Sequence, residues 1–378
     1  MIPAWQYLPD DLSSSVHGNP PARTHMNAHA STSLRRWLIS FSLLPITAFA
    51  QIGDYLKKPD PWYSSKEALV IAHNVISYQS DLGGWPKNTV KPTEEFRGRR
   101  KDLRPTFDNG ATMDEMRLLA RIHQATRDRD CATAFQRGLQ YILNAQYPNG
   151  GWPQSFPLST QYHRHITFND GSMVRVMLFV REVSTDRLYS FVSARDRDRA
   201  EQAFAKGLDC ILRCQIRLNG QLTVWCAQHD EITLAPRKAR SYELASLSGS
   251  ESVGITRLLM SIKKPTPEVA RAVDAAIAWF ERSAIRGIRI QRIDDPKSPS
   301  GRDHIIVRDP KARPLWARFY DLKNQRPMFC DRDGIPKTNF ADLGYERRNG
   351  YAWYGNWAQN LIEKEYPRWK KANAHVRR

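Results

Sequence analysis

The sequence lacks any apolar run long enough to cross a bilayer as a helix. Its longest, from Trp37 to Phe49, is about 13 residues and is interrupted by Pro45, short of the roughly 20 that a span needs. Cysteine is scarce: five in 378 residues, an odd number that excludes a fully paired disulfide framework. Acidic residues are too few to balance the basic ones, 39 against 57, which leaves a net charge of +18. Such an excess points to a polyanionic partner: nucleic acid, an anionic membrane surface or an acidic polysaccharide. No helix-turn-helix, zinc-finger or RNA-binding signature is present, which sets nucleic acid aside. Strand signals are sparse, confined to Gly220–Trp225, Ile288–Gln291 and Ile305–Arg308. What remains is 41% hydrophobic and 25% charged, the balance of a globular protein and not of a disordered one. The length allows one large domain or two modest ones.

The N-terminus reads as a leader and not as fold. Residues 1–30 are polar and aperiodic, Arg35 and Arg36 precede the short apolar run, and Ala48-Phe49-Ala50 closes it. That order is the charged region, apolar region and small-residue cleavage site of a secretory signal peptide. Met26 leaves a more ordinary distance to the arginine pair than Met1 does, so residues 1–25 read as a mis-called upstream start. The expectation is a 1–50 leader and a single domain over 51–378. The product is secreted or periplasmic, with no membrane association after cleavage. Cys210 and Cys214 lie four apart on a helical pattern with Cys226 beyond, but no second knuckle completes a zinc site. Buried free thiols are the expectation.

The chain repeats. Gln79-Ser-Asp-Leu-Gly-Gly-Trp85-Pro is matched by Gln146-Tyr-Pro-Asn-Gly-Gly-Trp152-Pro, and more weakly by Gln215 with Asn219, Gly220 and Trp225. The glutamines are 67 and 69 residues apart, a period that signals a repeat architecture. Each follows a stretch of helical periodicity, which glycine stops and proline prevents from resuming. A second element recurs: Thr106-Phe-Asp-Asn-Gly110 matches Thr167-Phe-Asn-Asp-Gly171, and Ser248–Ser252 is a third copy. Each leads into an apolar helix, with Asp, Asn or Ser suited to cap it. Three helix pairs close most naturally into an α/α toroid, mainly helical, with short β decorations on the cleft face. The helix starts of such a toroid converge. Asp108, Asp170 and Glu251 then line one groove, where each is either a cap worth about 1 kcal/mol or part of a hard-cation site of the kind Ca²⁺ prefers.

Basic and aromatic residues cluster around these acids in sequence. Arg237-Lys238-Ala-Arg240-Ser-Tyr242-Glu243 lies between the third Trp and Glu251; Asp331-Arg332-Asp333 and Arg347-Arg348-Asn-Gly-Tyr351 follow. Arginine grips carboxylates in pairs. Taken together, Gly83–Asn88, Phe107–Thr112, Tyr147–Gln154, His165–Gly171, Ala239–Leu244 and Arg347–Tyr354 resemble family 10 of the polysaccharide lyases, pectate lyases with an α/α toroid, over about residues 55–370. The resemblance implies β-elimination on polygalacturonate. It carries Arg240 to the base and Asp108 and Asp170 to a Ca²⁺ and substrate-carboxylate cluster, with Glu251 left open. It carries Asn109, Lys238, Arg332 and Arg347 to substrate binding, Arg348 being an equally good register for the last. A monomer is implied. The sequence departs from the family in having Ala245 before Ser-Leu-Ser, in the altered third repeat, and in the polar segment Pro296–Asp303. A toroid glycoside hydrolase with Asp108 and Asp170 as its carboxylate pair is the alternative on the same residues. The Gln/Trp repeats also match terpene cyclases, but no Asp-rich prenyl-cation motif accompanies them.

Overall fold

The structure, a computed structural model, describes residues 51–377; the expected leader lies outside the described residues. Four helices of one kind recur: α1 (Lys66–Ser77), α3 (Arg129–Asn144), α5 (Ala194–Cys214) and α7 (Pro267–Ser283). Between them run α2 (Met113–Thr126), α4 (Ser172–Thr185) and α6 (Glu251–Met260). The second set is buried on most of its faces, while α3 and α5 are polar on one side. Sequential helices pack in pairs, α2 with α3, α4 with α5 and α6 with α7, which makes the fold a mainly helical α/α toroid. Two-residue strands decorate it, as expected, and one longer antiparallel hairpin is formed by β1 (Ile288–Asp294) and β2 (Arg302–Arg308). No helix among the described residues is long and apolar enough to cross a membrane. All five cysteines are buried and free, as the sequence suggested.

The glutamine and tryptophan of each repeat are structural staples. Gln79 Nε2 donates to Gly83 O and Ala134 O at 2.7 and 2.8 Å, Gln146 to Gly150 O and Ala203 O at 2.9 and 2.8 Å, and Gln215 to Thr223 O and Ala272 O, both at 2.9 Å. Each glutamine therefore ties its own turn to the next helix of the outer set. Trp85, Trp152 and Trp225 each donate Nε1 to a carbonyl near the end of the preceding helix, Val75, Ile142 and Ile211, at 2.7–2.9 Å. The glycines are required by close approach. A Cβ on Gly83 would meet Arg137 O at 2.5 Å and one on Gly150 would meet Lys206 O at 2.0 Å, both at positive φ. The third turn needs no Gly-Gly because a tight antiparallel hairpin over Arg217–Leu222 takes its place.

The structure adds a fourth repeat. Trp316 donates Nε1 to Phe280 O at 2.9 Å near the end of α7, the same bond as the other three. Its turn is 36 residues long where the others take 10 to 14. The insertion contains the β1–β2 hairpin and hides the period from a comparison of the sequence with itself.

Candidate active site

The expected helix caps are not formed by the acids. Asp108 and Asn169 open single 3-10 turns, Asp108–Gly110 and Asn169–Gly171, ahead of their helices. Asn109 and Asp170 occupy equivalent left-handed positions, at φ 51° and 50°, a conformation that Asn and Asp tolerate best after glycine. Neither α2 nor α4 has a side-chain cap bond. Asp108, almost buried, accepts from Lys87 Nζ at 2.7 Å through one oxygen, while its other oxygen, Oδ1, is buried with no partner. Asp170 accepts from Asn169 Nδ2 at 2.8 Å and from Arg318 Nη2 at 3.1 Å. The two turns pack against each other, so the first two repeats present an Asp-Asn and an Asn-Asp pair side by side.

The third acid behaves differently. The Ser248–Ser252 copy is two residues shorter than Thr106–Thr112 where Thr112 and Ser252 both accept from a Trp backbone N–H through Oγ. Glu251 is therefore already helical. It is buried, bonds Ser248 Oγ, and pairs with Arg318 Nη2 at 2.6 Å. The expected groove of three acids does not form a three-ligand cluster. Among the described residues, triads with ligand atoms within 4.8 Å are His73, Asp128, Asp130 and His165, Asp230, Glu231. In the second, Glu231 is engaged by His165 at 2.8 Å and Asp230 by Arg237 at 2.7 Å.

Beside the acids, and joined to them through Arg318, two tyrosines gather the arginines. The guanidiniums of Arg240, Arg332 and Arg347 lie 5.0, 5.7 and 4.5 Å from the Tyr242 ring centre. Arg318 lies 5.1 Å from Tyr351, and Arg240 and Arg347 each 6.0 Å. The two rings meet edge to face at 5.3 Å. Stacking on aromatic faces lets like charges crowd at low cost. Arg240 is held by Glu243 through Nε at 2.8 Å and Nη2 at 2.6 Å, and Tyr351 donates its hydroxyl to the same carboxylate at 2.7 Å. Burial opposes the charged form of Arg240, but the paired Glu243 carboxylate overrides it and holds the guanidinium protonated above its ordinary range. Burial likewise pushes Glu243 up, and Arg240 brings it below the usual carboxylate value. His163 connects the two sides. Burial lowers its pKa first, with Asp108 raising it and Arg240 lowering it, so the ring lies within the field of both.

The expected site residues divide as follows. Asp108, Asp170, Arg240, Arg332 and Arg347 line the two sides just described. Asn109 and Lys238 are exposed beside them, Asn109 at the tip of its turn and Lys238 two residues before Arg240. Of the two arginine registers, Arg347 is the one that stacks on Tyr242, and its Nε is buried without a partner. Arg348 faces the other way, into Asp303, at 2.9 and 2.5 Å. Sequence reasoning did not single out Lys87, Glu243, Tyr242, Tyr351 or Arg318 for roles. Arg318 follows Trp316 by two residues, so only recognition of the fourth repeat could have found it.

Fold and cleft together define an α/α toroid enzyme that acts on a carboxylate-bearing polysaccharide. The chain matches the pectic acid lyase family over residues 79–362 and belongs to that family. Among solved structures it is similar to a family 10 polysaccharide lyase from Cellvibrio cellulosa, at 36% identity and a TM-score of 0.71, over 82% of this chain and 96% of that one. It is equally similar to an aspartate-to-alanine mutant of the Cellvibrio cellulosa enzyme in complex with trigalacturonic acid, at 34% identity and a TM-score of 0.71, over 84% and 99% of the two chains. No curated protein matches it by sequence. This chain is thus a pectate lyase of polysaccharide lyase family 10, as its motifs suggested.

Proposed function

We propose that this enzyme depolymerises polygalacturonate by calcium-dependent β-elimination with Arg240 as the base, and that it does so as a monomer outside the cytoplasm. One observation carries the reading: Arg240, Arg332 and Arg347 surround Tyr242, and His163 lies in the field of both Arg240 and Asp108, which keeps a buried oxygen without a hydrogen-bond partner. The trigalacturonic acid bound by the Cellvibrio relative supports the substrate class, and the leader-like residues 1–50 support export.

The substrate presents a carboxylate on every sugar. Arg332 and Arg347 bind such groups and orient the chain, with Asn109 and Lys238 at the edge of the cleft. Asp108 and Asp170 offer the hard oxygens that calcium takes; held there, the ion supplies charge neutralisation to the carboxylate beside the reacting carbon. Arg240 accepts the C5 proton. The C5–H electron pair becomes the C4–C5 double bond, and the C4–O bond breaks. The oxygen leaves on the neighbouring sugar as a new reducing end and takes a proton from water. The base role requires Glu243 to release its hold on Arg240, since that pairing keeps the guanidinium protonated. Entry of substrate carboxylates and cations competes with that pair, and an alkaline medium favours the neutral base.

The test is ultraviolet absorbance of polygalacturonate digests, since elimination yields an unsaturated, absorbing end and hydrolysis does not. We expect absorbance to rise at alkaline pH with calcium, and a chelator to abolish the rise. Arg240→Lys should lose at least about a hundredfold in rate, the usual scale for a positioned base. A lysine variant that keeps most of its rate removes Arg240 from the role, and a flat trace with calcium removes the lyase mechanism.

A further inference from the structure

The β1–β2 hairpin is not needed to close the toroid, because the other three repeats make the same Trp staple with turns of 10 to 14 residues. What it adds is charge. Residues 286–313 carry eight Lys or Arg against four Asp. Two of those acids are engaged: Asp309 with Arg289 at 3.3 Å and Asp303 with Arg348.

The register decides where the charge lies. Ile288 pairs with Arg308, Ile290 with Ile306, Arg292 with His304 and Asp294 with Arg302. Directly paired residues share one face of the ladder, so Arg292, Arg302, Arg308 and His304 stand on one side with a single acid, Asp294. Arg292, Arg302 and Arg308 are exposed and make no ion pair among the described residues. Ile306, 38% exposed, lies between them. Asp303 belongs to the opposite side, where it accepts from Arg348 and from Asn349 Nδ2 at 2.7 Å, both on the helix α8 (Tyr345–Gly350). Ser300, in the hairpin turn, bonds the hydroxyl of Tyr345 on the same helix. Since α8 also carries Arg347, the hairpin is fixed beside the cleft. A pocket of about 300 Å³ lined by Asp331, Arg332 and Gly344–Arg347 lies on that side.

The ladder itself does not call for these arginines: Arg308 stands opposite Ile288 and Arg292 opposite His304, and only Arg302 faces an acid, Asp294; solubility alone does not require them on one face. We propose that this face of the hairpin is an accessory binding surface for the same carboxylate-rich polysaccharide, gripping sugars that extend beyond the cleft. The arginines pair with the polymer's carboxylates and Ile306 contacts a sugar-ring face. This rests on the reading of polygalacturonate as substrate, and the two are separable by experiment.

The full chain and the variant Arg292→Gln/Arg302→Gln/Arg308→Gln are compared in two ways. In affinity electrophoresis through gels containing polygalacturonate, which needs no catalysis, the wild type is retarded and the variant loses most of the retardation at low salt. In kinetics, KM on long polygalacturonate rises about tenfold more than KM on trigalacturonate, and the difference shrinks at high salt as exposed charges are screened. The single Arg302→Glu change gives the same direction should the triple variant express poorly. Equal retardation of variant and wild type overturns the proposal, as does an equal change of KM on short and long substrates. Retardation that depends on the three arginines in a protein with no lyase activity would keep the binding surface and refute the catalytic reading instead.

Discussion

Glu115 should make this enzyme lose stability in the alkaline range where its chemistry is expected to work best. It lies in the first turn of α2, is 5% exposed, and its Oε2 is buried with no partner. Burial pushes its pKa up to about 8 from 4.5, with the Asp114 charge adding to the rise and the backbone N–H groups of Glu115 and Thr112 partly opposing it. Between about pH 4.5 and pH 8 the native state keeps a proton that the unfolded chain has released, so stability falls as pH rises. A shift of that size corresponds to about 5 kcal/mol, complete above the folded pKa and absent below the unfolded one. The repeats point to the remedy. Gly138 backs onto Met116 and Trp85 as Gly207 backs onto Met177 and Trp152, which makes Val176 the counterpart of Glu115. The matched bonds of Thr112 and Ser252 make Ile255 the third; both are fully buried. Glu115→Gln should remove the pH dependence but keep an unsatisfied polar group worth about 1–3 kcal/mol. Glu115→Val should remove both. The assay is urea unfolding followed by tryptophan fluorescence at pH 5, 7 and 9 without calcium. We expect the variants to diverge upward from wild type by several kcal/mol at pH 9 and to converge toward it at pH 5. Wild type and Glu115→Gln running parallel across that range would refute the reasoning.

Two further outcomes follow from the buried contacts. Arg318→Met leaves Glu251 and Asp170 without their shared cation; breaking a buried pair from one side costs about 3–5 kcal/mol. The midpoint of thermal unfolding should therefore fall sharply, and calcium should restore more of it than it adds to wild type; an unchanged midpoint would mean that the pair holds nothing. Gln79→Leu, Gln146→Leu and Gln215→Leu each strand two buried carbonyls, so each should cost a similar few kcal/mol. Two such changes should add, because the sites share no partner, and strongly unequal losses would argue against equivalent staples.

The toroid was legible because its parts repeat in sequence. Gln79, Gln146 and Gln215 and the three tryptophans advertise a period, and the buried bonds they make explain why those residue types recur. The fourth copy was hidden by its 36-residue turn and by Ala284 standing where a fourth glutamine would fall, 69 residues after Gln215. The acids were legible as candidates but not in their roles. Asp108 and Glu251 look alike in the alignment, yet a two-residue difference in the turn leaves one at the cleft and swings the other into the core beside Arg318. Arg347 and Arg348 are adjacent and chemically identical, so no motif could choose between them. The choice is made by packing, with Tyr242 on one side of the helix and Asp303 on the other. Glu243 and Tyr351, which fix Arg240, contribute through long-range contacts that no local pattern carries.

Those contacts also change where the protein's charge matters. Inside the cleft most arginines already have a carboxylate of their own: Arg240 has Glu243, Arg318 has Glu251 and Asp170, and Arg332 has Glu346 at 2.8–2.9 Å. A polymer carboxylate entering there must exchange with an internal partner, so binding in the cleft gains little from net charge and much from geometry. Arg347 is no exception: its Nη2 pairs with Glu346, the carboxylate it shares with Arg332, although its Nε is buried without a partner. The unpaired exposed charge lies instead on the hairpin and the outer surface, where it draws in a polyanion over a range set by the Debye length. Long-range attraction and chemical recognition are therefore carried by different arginines, and salt should weaken the first well before it weakens the second.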